Sequence, residues 1–465
     1  MNQVKMENGL GVSRVASALA DRSMWQLASR QKPTPRKWHH RLLVVYILLL
    51  PLFLTGQNRA TLELAQREYD AGQYAAAVRT LRSNPQLTEF DPEAALLLAV
   101  SLFHANDLRA AQERLDLLIK QRGDAFPVAR FYLGRVYHAQ GLFTEAAAEY
   151  KRYLRTLKQD GQAWLAVTAL LRNVANGLAA TGSTEQTIVD NLGPEVNSEA
   201  DEFGPIPSPT GSGRVYFTRA VTPAGSTTAQ TDIAYTAATG ISWAPAAPLS
   251  PLINTRAEEA LLDISPDGRR LYYFRGTSAA DGSFLVDTFR TNTADDLVTI
   301  PVEVPLNVNT TDVTPFFGAD DAIYFASNRP DGYGGLDLYR RLRLPEGGYG
   351  PSQNLGPQVN GPYDEACPFV ARDGRTIYFS TNDPEYSIGG FDVVKSFRVV
   401  GVEGRFTRPE NVGLSVNSAG DDTHFRLAPD GFTGFLASDR KDGFGGRDLF
   451  VVYYASGRVE MLGGE

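Results

Sequence analysis

The chain has 465 residues with 43% hydrophobic and 21% charged content, as expected of a globular protein of two or three domains. Its single cysteine, Cys367, excludes an internal disulfide and a thiolate metal site. Residues 1–60 hold nine Lys/Arg against two Asp/Glu, so the net −8 of the whole chain places −15 on the other 405 residues. An acidic body argues against nucleic acid and anionic membrane surfaces as partners.

Lys37, His39, His40 and Arg41 stand before Leu42–Leu54, thirteen apolar residues without a charge. A bilayer-spanning helix needs about 20 residues. Residues 1–57 therefore read as a leader with a secretory signal peptide, and a short uncleaved anchor is the alternative. No cysteine follows the apolar core, so lipid attachment there is not expected. The chain is expected to be exported, to the periplasm or into association with an outer membrane.

Residues 58–181 turn Ala- and Leu-rich with helical spacing. Leu133, Gly134, Tyr137, Gly141, Phe143, Ala146 and Tyr150 place small residues where two helices touch and aromatics between them. The spacing returns at Tyr69, Gly72, Tyr74 and Ala77, and in weaker form at Ala99, Asn106, Leu108 and Ala111, with a period of 34 to 35 residues. This pattern resembles the tetratricopeptide repeat. The resemblance implies a small α-solenoid capped by a helix from Gln162 to Asn176, with a concave face for a protein partner. Arg130, Tyr137 and His138, on the first helix of the third copy, are the candidate binding residues. A plain helical bundle with no binding role is the alternative.

Residues 182–190 are a polar linker, and residues 191–465 form the second region. It holds a unit repeated five times, opening on Asn197, Asn254, Asn309, Asn360 and Asn417. Acidic positions follow: Asp201/Glu202, Glu258/Glu259, Asp312, Asp364/Glu365 and Asp421/Asp422. Each unit continues with an alternating apolar run, a turn and an aromatic-ended run. Three of the turns are Asp267-Gly268, Asp373-Gly374 and Asp430-Gly431, which is hairpin chemistry. The units close on Asp232, Asp287, Asp337, Asp392 and Asp448, at intervals of 55, 50, 55 and 56 residues. Such a period with several short strands predicts a β-propeller of five blades. The overall expectation is a multidomain α plus β chain, an N-terminal helical solenoid followed by an all-β five-bladed propeller.

These units resemble the WD40-like propeller repeats of the TolB type. The copies SNRPDGYGGLDLY and SDRKDGFGGRDLF are similar to repeats found beside OmpA-like domains in bacterial envelope proteins, notably of Bacteroidetes. No OmpA-like peptidoglycan-binding region is present in the sequence, so cell-wall anchoring is not implied. Asn191–Asn197, NLGPEVN, matches NLGPQVN and NVGLSVN before the fourth and fifth units. It is therefore expected to add an outer strand to the last blade and close the ring, with Arg458–Leu462 as the competing strand.

Histidine is scarce, and only His424 falls in the repeats. No Gly-x-Ser-x-Gly elbow, clustered metal ligands or phosphate-cradling loop before a helix occurs, so no cofactor, metal or catalytic residue is assigned. The acidic positions are the sharper feature. They are expected at the start of the channel-lining strands, as a rim that could hold Ca²⁺ or a basic peptide. The other reading is that Asn and Asp cap turns and tie neighbouring blades by hydrogen bonds to backbone N–H groups. The Arg329/Asp331/Asp337 and Arg440/Asp442/Asp448 sets are expected to lock their loops by Arg–Asp pairs. The functional expectation is a non-catalytic exported scaffold binding other envelope proteins. The alternative is a propeller enzyme or a small-ligand or glycan-binding periplasmic protein.

Overall fold

A computed structural model describes residues 56–181, 187–222, 229–240, 242–276, 283–289, 297–301, 312–402 and 404–462. The signal-peptide expectation and the leading Asn309 lie outside these residues. The chain divides into a helical unit and a β unit, meeting near residues 182–183.

Among the described residues the helical unit holds α1 (Gly56–Asp70), α2 (Tyr74–Arg82), α3 (Pro85–Phe90), α4 (Pro92–His104), α5 (Leu108–Arg122), α6 (Val128–Ala139), α7 (Phe143–Leu154) and α8 (Gln162–Ala180). The chain sets the helix starts by its own chemistry. Asn84, Asp91 and Asp107 cap α3, α4 and α5 by accepting backbone N–H bonds, and Pro85 and Pro92 sit at the first helical turn. Helices α1/α2, α4/α5 and α6/α7 pack as successive hairpins, and α8 packs on α7. The α6/α7 contact is close because a side chain on Gly134 would lie 2.7 Å from the Tyr150 ring. Gly177 of α8 meets Phe143 in the same way, at 2.5 Å.

The β unit is the sheet arrangement of a β-propeller, built of twisted antiparallel sheets. The first comprises β2 (Glu202–Pro207), β3 (Arg214–Val221) and β4 (Gln230–Thr239), with β5 (Ser242–Trp243) and β6 (Ala247–Pro248) both paired to β4. The second is β7 (Glu258–Ile264), β8 (Arg270–Gly276), β9 (Ser283–Phe289) and β10 (Leu297–Pro301). The third is β11 (Asp312–Phe317), β12 (Ile323–Ser327), β13 (Asp337–Arg341) and β14 (Gln353–Asn354). The fourth is β15 (Glu365–Val370), β16 (Thr376–Thr381), β17 (Asp392–Phe397) and β18 (Glu410–Asn411). The last is β19 (Asp422–Leu427), β20 (Thr433–Ser438) and β21 (Asp448–Tyr454), completed by β1 (Thr187–Asn191) from the opposite end of the unit. Strand β1 runs antiparallel to β21, Thr187 opposite Tyr454 and Asn191 opposite Phe450. Each sheet packs on the next, and β2 packs on β19 and β20, so the first and last sheets also meet.

The repeated residues are the fasteners between sheets. Each of the four described leading asparagines acts as a detached peptide group. Asn360 Oδ1 accepts Leu338 N–H at 2.7 Å while its Nδ2 donates to the Leu338 carbonyl at 3.0 Å. Asn417 does the same to Val393, Asn254 to Ile233, and Asn197 to Leu449. In every case the partner is the residue after the closing aspartate of the preceding sheet. The Gly pairs are demanded by close approach. A Cβ on Gly334, Gly389 or Gly445 would lie 2.3–2.5 Å from backbone atoms of the next unit's acidic loop.

The C-terminal residues do not compete for the edge strand. Val459–Leu462 form a short helix, α9, beneath the fourth and last sheets. Its Glu460 accepts the Tyr378 hydroxyl, and Met461 is buried in the main core.

Candidate functional site

The acidic positions are occupied by the fold. The second acid of each pair folds back on the loop before it. Glu202 accepts Ser198 N–H at 3.0 Å and its hydroxyl at 2.6 Å. Glu259 does so with Thr255 and also pairs with Arg275 at 3.0 Å. Glu365 accepts Gly361 N–H, and Asp422 accepts Ser418 N–H and the Arg440 guanidinium. The first acid reaches the sheet before it: Asp201 accepts Arg447 N–H at 2.7 Å, Asp364 that of Leu336 at 2.9 Å, and Asp421 that of Phe391 at 3.1 Å. Glu258 is half-buried at the start of β7, and Asp312 is the first residue of β11.

The expected open rim is therefore corrected: Glu202, Glu259, Asp364, Glu365 and Asp422 are all at most 3% exposed. Loop donors need acceptors where water is excluded, and these carboxylates supply them. Burial pushes Glu202 up to about 7 and holds Glu365 well above the carboxylate range. Among the described residues no group of three or more His, Cys, Asp and Glu is placed to hold a metal ion. The Arg–Asp lock is also corrected in the last unit, where Arg440 pairs with Asp422 and lies 4.5 Å over the Phe450 ring. In the third unit Arg329 lies over the Phe325 and Tyr339 rings.

On the helical unit, Arg130 pairs with Glu149 at 3.1 Å and Tyr137 is half-buried. His138 is buried beside the Tyr150 hydroxyl rather than displayed on a surface. The structure thus does not bring Arg130, Tyr137 and His138 together as an exposed anchor.

The channel is built from something the pattern reading missed. Every inner strand carries a register break: between Phe203 and Ile206, Leu261 and Asp263, Val313 and Phe316, Ala366 and Phe369, and Thr423 and Arg426. Four of the bulges hold a residue of positive φ: Gly204 at 63°, Thr314 at 49°, Cys367 at 53° and His424 at 54°. Only the first is the residue this geometry favours. Positive φ at a non-glycine residue is backbone strain, and residues so held are found clustered at catalytic and ligand-binding sites.

These bulges ring a small concavity, open to solvent, with enclosed room for about one water molecule. Its lining includes Phe203, Leu262, Thr314, Pro315, Cys367, His424 and Arg426. The Cys367 N–H donates to Thr314 Oγ1 at 3.0 Å, and burial raises the thiol to about 11, so it stays protonated. Burial, with Arg447 and Arg426 nearby, lowers His424 to about 3, so its imidazole is neutral. Its Nδ1 lies 3.1 Å from Thr423 Oγ1. Arg426 lies across the channel over Phe316 at 4.6 Å and Phe369 at 5.3 Å. Asp263, tied by Ile264 and Phe317 N–H groups, is close enough to moderate its charge.

A column comparison would have exposed this level. Thr314, Cys367, His424 and Gly204 all stand two places after the last acid of their units, and three of the four precede proline.

No family model and no curated protein matches this sequence. Solved structures do match. A BT0996 complex with RGII aligns over 62% of this protein and 97% of its own length at 8% identity, TM-score 0.43. The α-L-arabinanase of Penicillium chrysogenum complexed with arabinobiose aligns over 58% and 99% at 12% identity, TM-score 0.33. TolB from Acinetobacter baumannii aligns over 63% and 71% at 12% identity, TM-score 0.24. The expectation that the chain is not an enzyme is corrected by this set, since glycosidases stand among the structures it is similar to.

Proposed function

We propose that this chain is an exported protein whose five-bladed propeller receives a small ligand in its channel, joined to a tetratricopeptide-like helical arm. Periplasmic or outer-membrane-associated placement belongs to the same reading and rests on the apolar core Leu42–Leu54 with its basic flank.

One observation carries the ligand reading. The channel cavity gathers neutral His424 on a strained bulge with the guanidinium of Arg426, and the loop carboxylates are spent on backbone donors. Polar groups converging in a largely apolar concavity are the usual make-up of a small-molecule site. A substrate would occupy the same place, with Asp263 as a carboxylate whose charge acts on Arg426.

Thermal melts of the full chain against a panel of monosaccharides, oligosaccharides, sugar acids and short peptides test the reading. Ligand binding raises the melting temperature of the β unit by mass action. The folded variant His424→Ala should lose that rise. A panel without effect, or an unchanged rise in the folded variant, refutes the channel as the site. Chromatography of the incubated ligand shows whether it is consumed.

A further inference from the structure

Resting on the channel reading above, we propose that the group received at the channel floor is a carboxylate, anchored by the Arg426 guanidinium with His424 beside it.

The first ground is unused hydrogen-bonding capacity. A guanidinium carries five N–H donors in a planar fork. Among the described residues Arg426 makes one long hydrogen bond, 3.4 Å to the Pro368 carbonyl. Phe316 and Phe369, whose ring centroids lie 4.6 Å and 5.3 Å from its guanidinium carbon, offer no oxygen or nitrogen acceptor to the remaining N–H groups, which a ligand can engage. A carboxylate matches such a fork with two parallel bonds.

The second ground is local charge. The loop acids turn away from the channel bulges, where guanidiniums are the charges that act on His424. Both Arg426 and Arg447 act on His424, and Arg447 lies 5.4 Å over the Phe203 ring. Against them stands Asp263, since the acid pairs face their own loops. Arg447 is itself drawn toward Asp201 at 3.9 Å, so Arg426 is the cation left for the channel. Low-dielectric walls focus such a charge on whatever enters.

The third ground is shape. The concavity has enclosed room for about one water molecule, so the narrow planar end of a carboxylate enters where a tetrahedral dianion is crowded. Asp263 would also repel a second negative charge. His424 is neutral, and its Nε2 is the nitrogen that the Thr423 contact leaves for the ligand.

Two sources present this chemistry: a small-molecule acid such as a uronic acid, or the C-terminus of a peptide. Titration calorimetry on the full chain separates them. The probes are glucuronate and galacturonate against glucose and galactose, a tripeptide with free against amidated C-terminus, and inorganic phosphate. The expected result is binding of one acid series at least about tenfold tighter than its uncharged counterpart.

Arg426→Met, which keeps the apolar stem, should weaken the acid by at least about tenfold more than it weakens the uncharged counterpart. Should that variant fail to fold, His424→Gln replaces it, with binding of the acid weakened by more than binding of the uncharged counterpart. Equal affinity for acid and uncharged probe, tighter binding of phosphate, or a folded Arg426→Met that binds the acid as before each overturns the carboxylate assignment. The first two would still leave a ligand in the channel, whereas silence from every probe overturns the channel reading as well.

Discussion

The closing seam between the last and first sheets can be tested through Asn197. Its carboxamide accepts Leu449 N–H at 2.9 Å and donates to the Leu449 carbonyl at 2.9 Å. Both residues are at most 2% exposed, so Asn197→Ala leaves a buried donor and a buried acceptor without partners. At about 1–3 kcal/mol for each orphaned group, the cost is about 2–6 kcal/mol. Each kcal/mol moves the midpoint of a unit of this size by roughly 2–4 °C, so the loss is large enough to measure directly. Trp243 suits the measurement because its ring packs edge-on against Phe435 of the last sheet at 5.7 Å, across the same seam. Urea unfolding is followed by its fluorescence, with Trp25, Trp38 and Trp164 replaced by Phe. Asn417→Ala, which removes the same two bonds to Val393, is the internal standard. Equal losses mean that the seam is as strong as an ordinary boundary between sheets. A near-neutral Asn197→Ala beside a costly Asn417→Ala would refute the claim that this contact helps hold the ring closed.

Other expectations follow from the same contacts. Burial raises Glu202 from 4.5 to about 7, so the folded state holds its proton longer than the unfolded chain. Its contribution is therefore full below about pH 4.5 and is lost as pH rises through about 7, by about 3 kcal/mol. Glu202→Gln should flatten that part of the stability profile, measured by urea unfolding at pH 4.5 and 7.5, and unchanged slopes would count against it. Gly446→Ala places a Cβ 2.1 Å from Asp201 Oδ1 and should cost about 1–3 kcal/mol or more. Gly211→Ala, in open space at φ 70°, should cost only about 1–2 kcal/mol, and a melt comparing the two decides. In the helical unit Glu149→Ala strips Arg130 and Arg152 of their common partner and should cost about 1–3 kcal/mol. Far-ultraviolet circular dichroism would show the helical transition moving while the fluorescence of Trp243 does not.

Much of the sheet order could be read from the chain because its fasteners are side chains of fixed type. Asn360, Asn417 and the Gly334-Gly335 and Gly389-Gly390 pairs recur since only a carboxamide can replace a peptide group and only glycine fits under a neighbouring loop. The same repetition left two readings of Glu202, Glu365 and Asp422, a displayed rim and a cap on backbone donors, and the structure shows the cap. Their spacing is set by Ser198, Gly361 and Ser418 four places earlier, which take up the charge the rim was to display. His138 looked available on a helix of mixed polarity, yet Phe143 and Tyr150 cover it. The channel level was hidden for another reason. A bulge is an event of the backbone: Thr and Cys carry no preference for positive φ that would betray Thr314 or Cys367, and the modest enrichment of His there is too weak a signal to mark His424 alone.

The pairing of β1 with β21 has a consequence in time. Asn191 and its partner Asp448 are 257 residues apart. At a synthesis rate of about 5–20 residues per second, the first strand waits roughly 15–50 s for the other. During that interval β1 offers an unpaired edge, and the sheets made between them have no final neighbour. The yield of correctly folded protein then depends on how well that edge is kept apart from other nascent chains. A slower ribosome, a crowded polysome or a substitution that makes Thr187–Asn191 more apolar should each lower it, without altering any contact of the finished molecule.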